Sequence, residues 1–288
     1  MRSTGPELAD LLVVGALHWD VVVRAPRLPR IDETLRGDEV VYRLGGKGGN
    51  QALAAARADA HVAFVGRIGD DDPGSRMRAE LEAAGIDTSG LQQGDGATGM
   101  SVAIAVADGS YGAVIISGEN LSIDVGALHL PEGCRMVLAQ NEIAAETLAA
   151  LPGFAAKAGV AFWLNAAPAQ GVPTDVLRQA DGLIVNRLEA CDILQTDRLT
   201  PAEMVKALSA HAPRANIIVT LGAEGVAFAE AEGDVHLAPA PKVKVRSTHG
   251  AGDVFTGSIA AAVLRGDDLA HAVAFAQDRA ARHVTRGS

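Results

Sequence analysis

Short runs rich in valine, isoleucine and leucine recur along the chain at 11–17, 62–66, 136–139, 160–164, 182–185 and 216–220. Between most of them lie Ala-rich stretches with apolar residues at helical spacing, at 49–58, 74–84, 144–158, 174–180 and 202–211. Runs that are apolar throughout suit strands buried on both faces, and their alternation with helices predicts an α/β fold: a mostly parallel central sheet between two helical layers. Two segments break the rhythm. Residues 18–42 hold the pieces Val21-Val22-Val23 and Glu39-Val40-Val41-Tyr42 around Pro26 and Pro29, and residues 100–116 read as a hairpin with Asp108-Gly109 at the turn. Neither has the pattern of a crossover helix, so together they predict a small β lid standing off the sheet edge. After a β-rich stretch at 225–237, helical patterns at 252–265 and 268–284 close the sequence. No repeat, low-complexity tract or linker marks a second folding unit, and residues 1–288 read as one domain with lid insertions at about 18–42 and 100–116.

Composition narrows the partners. The 288 residues are 48% hydrophobic and 21% charged, which excludes a disordered or collagen-like chain. With 25 Lys and Arg against 35 Asp and Glu, the net charge of -10 argues against binding nucleic acid or an anionic membrane, both of which need clustered cations. An anionic ligand would therefore need a local device such as a loop of backbone amides. Cys134 and Cys191 stand alone, without a C-x-x-C pair, which suggests neither a disulfide scaffold nor a cysteine zinc site and fits a reducing cytoplasm. The run from Leu11 to Leu17, followed by His18 and Asp20, is too short for a membrane span and wrongly flanked for a signal peptide.

Two glycine clusters carry the candidate chemistry. In Gly45-Gly46-Lys47-Gly48-Gly49-Asn50-Gln51 the glycines allow close backbone approach, Lys47 adds a point charge, and Asn50 either caps the following helix or faces a ligand. The glycine spacing and the residue after Lys47 are not those of a Walker A loop. In Thr248-His249-Gly250-Ala251-Gly252-Asp253 the residues from Gly250 onward would set successive amides at a helix N-terminus, a candidate anion hole. Asp253 is then either an ordinary first-turn acid or a general base beside that hole.

Together the clusters resemble the two signatures of the PfkB carbohydrate kinase family, in a ribokinase-like arrangement running from about Leu11 to about Thr285. The resemblance implies an α/β three-layer sandwich with a β lid that covers the sugar, and a homodimer formed through that lid. It implies Asp253 as catalytic base with Gly250, Ala251 and Gly252 as the anion hole. His18, Asp20, Gly46, Lys47, Asn50 and Glu142 match the sugar pocket. Asn186, Thr220, Gly222, Gly225 and Gln277 match the ATP site, and Glu189 of the N-x-x-E pattern acts around Mg²⁺. Taken alone, Asn186 and Glu189 fit a helix capping box equally well, Thr220 a strand end, and Glu142 an exposed acid.

Several positions depart from the family pattern. His18 stands where ribokinase-like relatives place an Asn; an imidazole cannot offer donor and acceptor on one carboxamide, so the accepted hydroxyl pattern should differ if His18 contacts the sugar rather than packing under the lid. Ser247-Thr248 replaces an Asp-Thr whose acid helps hold K⁺ in relatives, and a neutral hydroxyl is the weaker ligand, so K⁺ activation is in doubt. Arg30-Ile31-Asp32-Glu33-Thr34 lacks the usual lid Gly, and relatives continue through a further loop and helix past the position of Ser288. The expected function is ATP-dependent phosphorylation of a primary hydroxyl of a sugar, a ribose-like pentose first and a nucleoside or pseudouridine next. Two other classes compete: a non-catalytic ligand-binding or regulatory homologue, and a nicotinamide-dependent dehydrogenase. The latter ranks low because no G-x-G-x-x-G follows the first strand.

Overall fold

The computed structural model describes residues 9–106 and 111–286. In chain order its elements begin with β1 (Leu11–Val14), β2 (His18–Ala25), β3 (Glu39–Gly45), α1 (Lys47–Ala56), β4 (Val62–Val65), β5 (Arg67–Gly69) and α2 (Asp72–Ala83). They continue through β6 (Gln92–Gly94), β7 (Met100–Val106), β8 (Tyr111–Ile116), β9 (Met136–Gln140), α3 (Ala145–Lys157), β10 (Ala161–Asn165), α4 (Thr174–Gln179) and β11 (Gly182–Asn186). The remainder is α5 (Arg187–Leu194), α6 (Pro201–His211), β12 (Asn216–Thr220), β13 (Val226–Ala229), β14 (His236–Ala238), α7 (Ala251–Arg265) and α8 (Leu269–Arg286).

An eight-stranded sheet in the order β14-β13-β12-β11-β10-β9-β1-β4 forms the centre, parallel from β12 to β4 and antiparallel at the β13-β14 edge. Successive strand residues point to opposite faces, and β1 shows the consequence. Leu12 and Val14 enter one core with Leu148 and Leu151 of α3 and Met204 and Leu208 of α6. Leu11 and Val13 enter the other with Leu53 of α1, Ile259 of α7 and Val273 of α8. Each such buried side chain stabilises the fold by about 1.5–3 kcal/mol relative to exposure, which is why the strands are apolar on both faces.

The smaller sheet, β3-β2-β7-β8, is built from both departures in the sequence rhythm. The expected turn at Asp108-Gly109 lies outside the described residues. The register of β2 against β3 and β7 puts His18, Asp20, Arg43 and Ser101 on one face and Trp19, Val21, Tyr42 and Val102 on the other. At the junction with β1, the buried Asn120 accepts from the Leu17 N–H at 2.9 Å and donates to the Leu17 carbonyl at 2.8 Å. The short helix α5 starts at the Asn186–Glu189 capping box, whereas the parallel pair β5-β6 had no signal in the sequence. Strands of three residues ending in glycine are too short to display an alternation.

Candidate active site

The C-terminal ends of parallel strands leave a crevice into which helix N-termini point, the usual place for a ligand in such sheets. Here α1 and α7 deliver their first turns to the ends of β10, β11 and β12. α1 begins at Gly46, whose φ of 82° lies in the left-handed region; a Cβ there would stand 2.6 Å from the Ala16 carbonyl and 2.8 Å from the His18 amide. Only glycine fits that approach. The Lys47 N–H donates to Glu142 Oε2 at 2.8 Å, joining the start of α1 to the loop after β9. Burial pushes the Glu142 carboxyl up, against the pull of Lys47. Asn50 lies within the helix and does not cap it; its Nδ2 reaches Asp253 Oδ2 at 3.4 Å.

α7 starts from Gly250 in the left-handed conformation and carries Asp253 in its first turn. The Ala251 N–H donates to the Thr248 carbonyl at 3.2 Å, so this amide of the expected anion hole already has a partner. Gly250, Gly252 and Asp253 line the cavity, Ala251 does not, and a Cβ at Gly252 would meet nothing within 4 Å. That opening lies at a helix N-terminus, where backbone N–H groups and the helix dipole favour an anion. Asp253 accepts from Gln51 Nε2 at 3.0 Å, and burial raises its carboxyl above the usual range despite Lys47 and Gln51 pulling it down.

The cavity encloses about 230 Å³. Besides Lys47 and the α7 glycines it is lined by Asn165 from β10, Asn186 and Glu189 around the start of α5, and Thr220 from the end of β12. Asn186 and Glu189 do form a capping box: Asn186 Oδ1 accepts from the Glu189 N–H at 2.9 Å and Glu189 Oε2 accepts from the Asn186 N–H at 2.8 Å. Burial raises the Glu189 carboxyl, and Lys47 and Asp253 act on it in opposite senses. Gly222 and Gly225 sit in the turn after β12, outside the cavity lining. Gln277 is likewise apart: from α8 its amide donates to the Ala238 and Pro239 carbonyls, each at 3.3 Å.

Near Lys47 and Glu142 lies the polar face of the small sheet. His18 and Asp20 are both buried, and His18 Nε2 has no hydrogen-bond partner among the described residues. Burial and the nearby Lys47 charge lower the His18 pKa, favouring the neutral imidazole. Burial pushes the Asp20 carboxyl up to about 6, opposed by the Arg43 guanidinium, whose Nε stands 3.7 Å from Oδ2. The site thus joins a partly buried carboxylate, a glycine opening at a helix N-terminus and, from the small sheet, a face of buried polar side chains.

The pattern of pfkB family carbohydrate kinases matches residues 8–288. The chain belongs to this family. It is 32% identical to the ribokinase of Bacillus subtilis (strain 168) over 281 residues, covering 96% of this chain and 93% of that protein. The solved structure of ribokinase from Thermotoga maritima matches with a TM-score of 0.85 at 30% identity, covering 97% of this chain and 94% of that one. Arabidopsis thaliana ribokinase complexed with ribose and ATP matches with a TM-score of 0.87 at 26% identity, over 96% and 93%. As a family member the chain is an ATP-dependent phosphotransferase acting on a sugar hydroxyl.

Kinase chemistry implies Mg²⁺, and the donor set can be tested for it. Among the described residues no group of three or more His, Cys, Asp or Glu could hold a metal ion by itself. Mg²⁺ is commonly held by one or two carboxylates together with substrate phosphates and waters, so Glu189 at the cavity edge fits an ion that arrives with the nucleotide. Ser247, at the expected K⁺ position, accepts from the His249 N–H at 3.3 Å. Among the described residues no helix is long and apolar enough to cross a membrane. Four residues at the site carried no role in the sequence reading: Gln51, Arg43, Asn165 and Thr256. Gln51 stands at the end of the first glycine cluster, directly after Asn50, and carries no signal of its own there. Asn165, a polar residue closing an apolar strand, was the visible signal for its own position.

Proposed function

We propose that the chain transfers the γ-phosphoryl group of ATP to the primary hydroxyl of a ribose-like pentose. The observation that carries this is the Asp253 carboxylate lining one cavity with Gly250, Gly252 and Lys47, whose N–H is bonded to Glu142. Similarity to the Bacillus subtilis ribokinase and to the Arabidopsis ribokinase complexed with ribose and ATP supports the substrate class.

On this reading Asp20, His18, Gly46, Lys47, Asn50 and Glu142 hold the sugar, while Asn186, Thr220 and the α7 N-terminus receive the nucleotide phosphates. Asp253 takes the hydroxyl proton as the sugar oxygen bonds to the γ-phosphorus and the bond to ADP breaks. The Gly252 and Asp253 amides favour the equatorial charge, so catalysis is positioning and electrostatics. Bound Mg²⁺, reached by Glu189, supplies charge neutralisation on the phosphates. His18 is the specificity element, since its neutral ring presents one donor and one acceptor on separate nitrogens.

The test is an ADP-release screen over pentoses, hexoses and nucleosides, with and without K⁺, using Asp253→Asn as the blank. Ribose-like pentoses should give the highest kcat/KM. Asp253→Asn should lose about 10²–10⁴-fold in turnover while still binding nucleotide. A variant that turns over normally would remove Asp253 as base; a preference for nucleosides would replace the substrate class.

The reading extends to a homodimer through the lid. The face of the small sheet opposite His18 and Asp20 is apolar, with Val114 65% and Ile116 52% exposed beside Val40 and Tyr42. Sedimentation should give a dimer that Val114→Asp converts to a monomer; a monomeric wild type would end this part of the reading.

A further inference from the structure

We infer that Gln51 is a positioning residue that gives the Asp253 carboxylate a fixed polarity, holding Oδ1 as an acceptor and leaving Oδ2 to take the proton from the sugar hydroxyl. The inference rests on the reading of Asp253 as base. It starts from a chain of contacts between β11, β10, α1 and α7. Asn165 Nδ2 donates to the Ile184 carbonyl at 3.0 Å. Gln51 Nε2 donates to Asn165 Oδ1 at 2.9 Å and to Asp253 Oδ1 at 3.0 Å. Gln51, the central link, is fully buried and so shielded from competing water, while Asn165 and Asp253 also line the cavity.

Only one set of directions satisfies every link. A backbone carbonyl can only accept, so the Asn165 group facing Ile184 is its NH₂, and its oxygen faces Gln51. Gln51 must then present its NH₂; turned over, its oxygen would face Asn165 Oδ1 and Asp253 Oδ1 together. The Gln51 NH₂ therefore demands a lone pair on Asp253 Oδ1 and disfavours a proton there. Oδ2 is held less firmly, since Asn50 Nδ2 stands 3.4 Å away, at the edge of hydrogen-bond range. A peptide carbonyl in the central sheet thus decides, through two carboxamides, which carboxylate oxygen works as the base.

The arrangement has a second consequence. A donor on the ionised form stabilises it, so Gln51 opposes the upward push that burial exerts on Asp253. Without it the base would stay protonated, and idle, to a higher pH.

The experiment compares Gln51→Met, Asn165→Ala and their double variant with wild type, and carries Asp253→Asn alongside. Gln51→Met should lower kcat about 10- to 100-fold with the ATP KM within about twofold, the split expected when ground-state binding is untouched. Its acid limb in the kcat–pH profile should move up by about half a pH unit or more, a shift that mere loosening of the fold would not produce. The double variant should be no slower than Gln51→Met within about twofold, because Asn165 acts through Gln51. Should Gln51→Met be recovered unfolded, Gln51→Glu keeps the length of the side chain, and repulsion from its carboxylate should move the limb further in the same direction. Wild-type kcat with an unmoved limb in a folded Gln51 variant overturns the inference, as do single-variant losses that multiply in the double. If Asp253→Asn is inactive in that same set, only the role of Gln51 falls; if Asp253→Asn is active, the assignment of the base falls with it.

Discussion

Asp20→Asn should make the ligand-free enzyme more stable and a worse binder of sugar. The carboxyl of Asp20 titrates at about 6 in the folded chain, against an ordinary 3.8, because burial outweighs the attraction of Arg43. Its side chain is only 11% exposed, so solvent screens little of this. At about 1.4 kcal/mol per pH unit, the ionised carboxylate costs the fold about 3 kcal/mol. The sign follows from proton counting. Between pH 3.8 and about 6 the folded chain keeps a proton that the unfolded chain has lost, so stability falls as pH rises through that window. The whole cost is present above it and absent below it.

The shift to about 6 already includes the attraction of Arg43, so a neutral carboxamide of the same shape, which stands in for the protonated acid, should recover about 2–3 kcal/mol. For a chain of this size that is a rise in Tm of several degrees at pH 8, shrinking to nothing below about pH 4. Thermal unfolding followed across that pH range, without sugar or nucleotide, reads the difference directly. The acceptor KM should rise about tenfold or more, since a charge-assisted bond to a hydroxyl is replaced by a neutral one. A variant whose Tm lies at or below wild type at pH 8, by the same margin as at pH 4, would refute the account of Asp20 as a strained, substrate-directed acid.

Three further substitutions separate fold from chemistry. Gly252→Ala adds a methyl that meets no protein atom within 4 Å, so Tm should hold or rise slightly, while activity should drop about 10²-fold as the phosphate cradle fills; parallel unfolding and turnover assays check it. Glu189→Gln keeps the capping box, which Gln also closes, so stability should stay within about 0.5 kcal/mol while the Mg²⁺ concentration for half-maximal activity rises; a Mg²⁺ titration decides. Asn120→Ala strands the buried N–H and carbonyl of Leu17 and should cost about 2–4 kcal/mol, read from chemical denaturation, with the acceptor KM rising because Leu17 leads into the lid.

The layers were legible in the sequence because burial on both faces demands continuous apolar runs, and β1, β4, β9, β10, β11 and β12 all lie on such runs. The lid was legible from the opposite sign, a change of period at Val21–Val23 and Glu39–Tyr42. The partners of Asp253 were not. Gln51 and Asn165 are separated by 114 residues and Gln51 and Asp253 by 202, and nothing in the local pattern states that β10, α1 and α7 meet at one corner. Strand order decides that, and strand order is a property of the assembled sheet. The same holds for Arg43, whose relation to Asp20 comes from β2–β3 register. Asn186 and Glu189 show a different limit: one spacing served two purposes, a helix cap and a cavity wall, and local sequence could not choose because both are present.

The site is an electrostatic compromise that explains why so acidic a chain can receive a polyanion. Asp20, Glu142, Glu189 and Asp253 are all raised by burial, and the Lys47 charge opposes the rise in the last three. Without substrate, the fold therefore holds carboxylates where water solvates them poorly, and one lysine is the shared counterweight. Sugar hydroxyls that donate to Asp20 and Glu142, and a cation that accompanies nucleotide phosphates to Glu189, would each relieve a part of that cost. A ligand that donates to these acids would gain affinity by restoring the solvation that folding removed. Replacing Lys47 by Met should accordingly raise the Glu142, Glu189 and Asp253 carboxyls together and shift the acid limb of kcat/KM to higher pH. A pH–rate profile in which Lys47→Met lowers the rate equally at every pH would show that its charge serves the phosphates alone and not the acids around it.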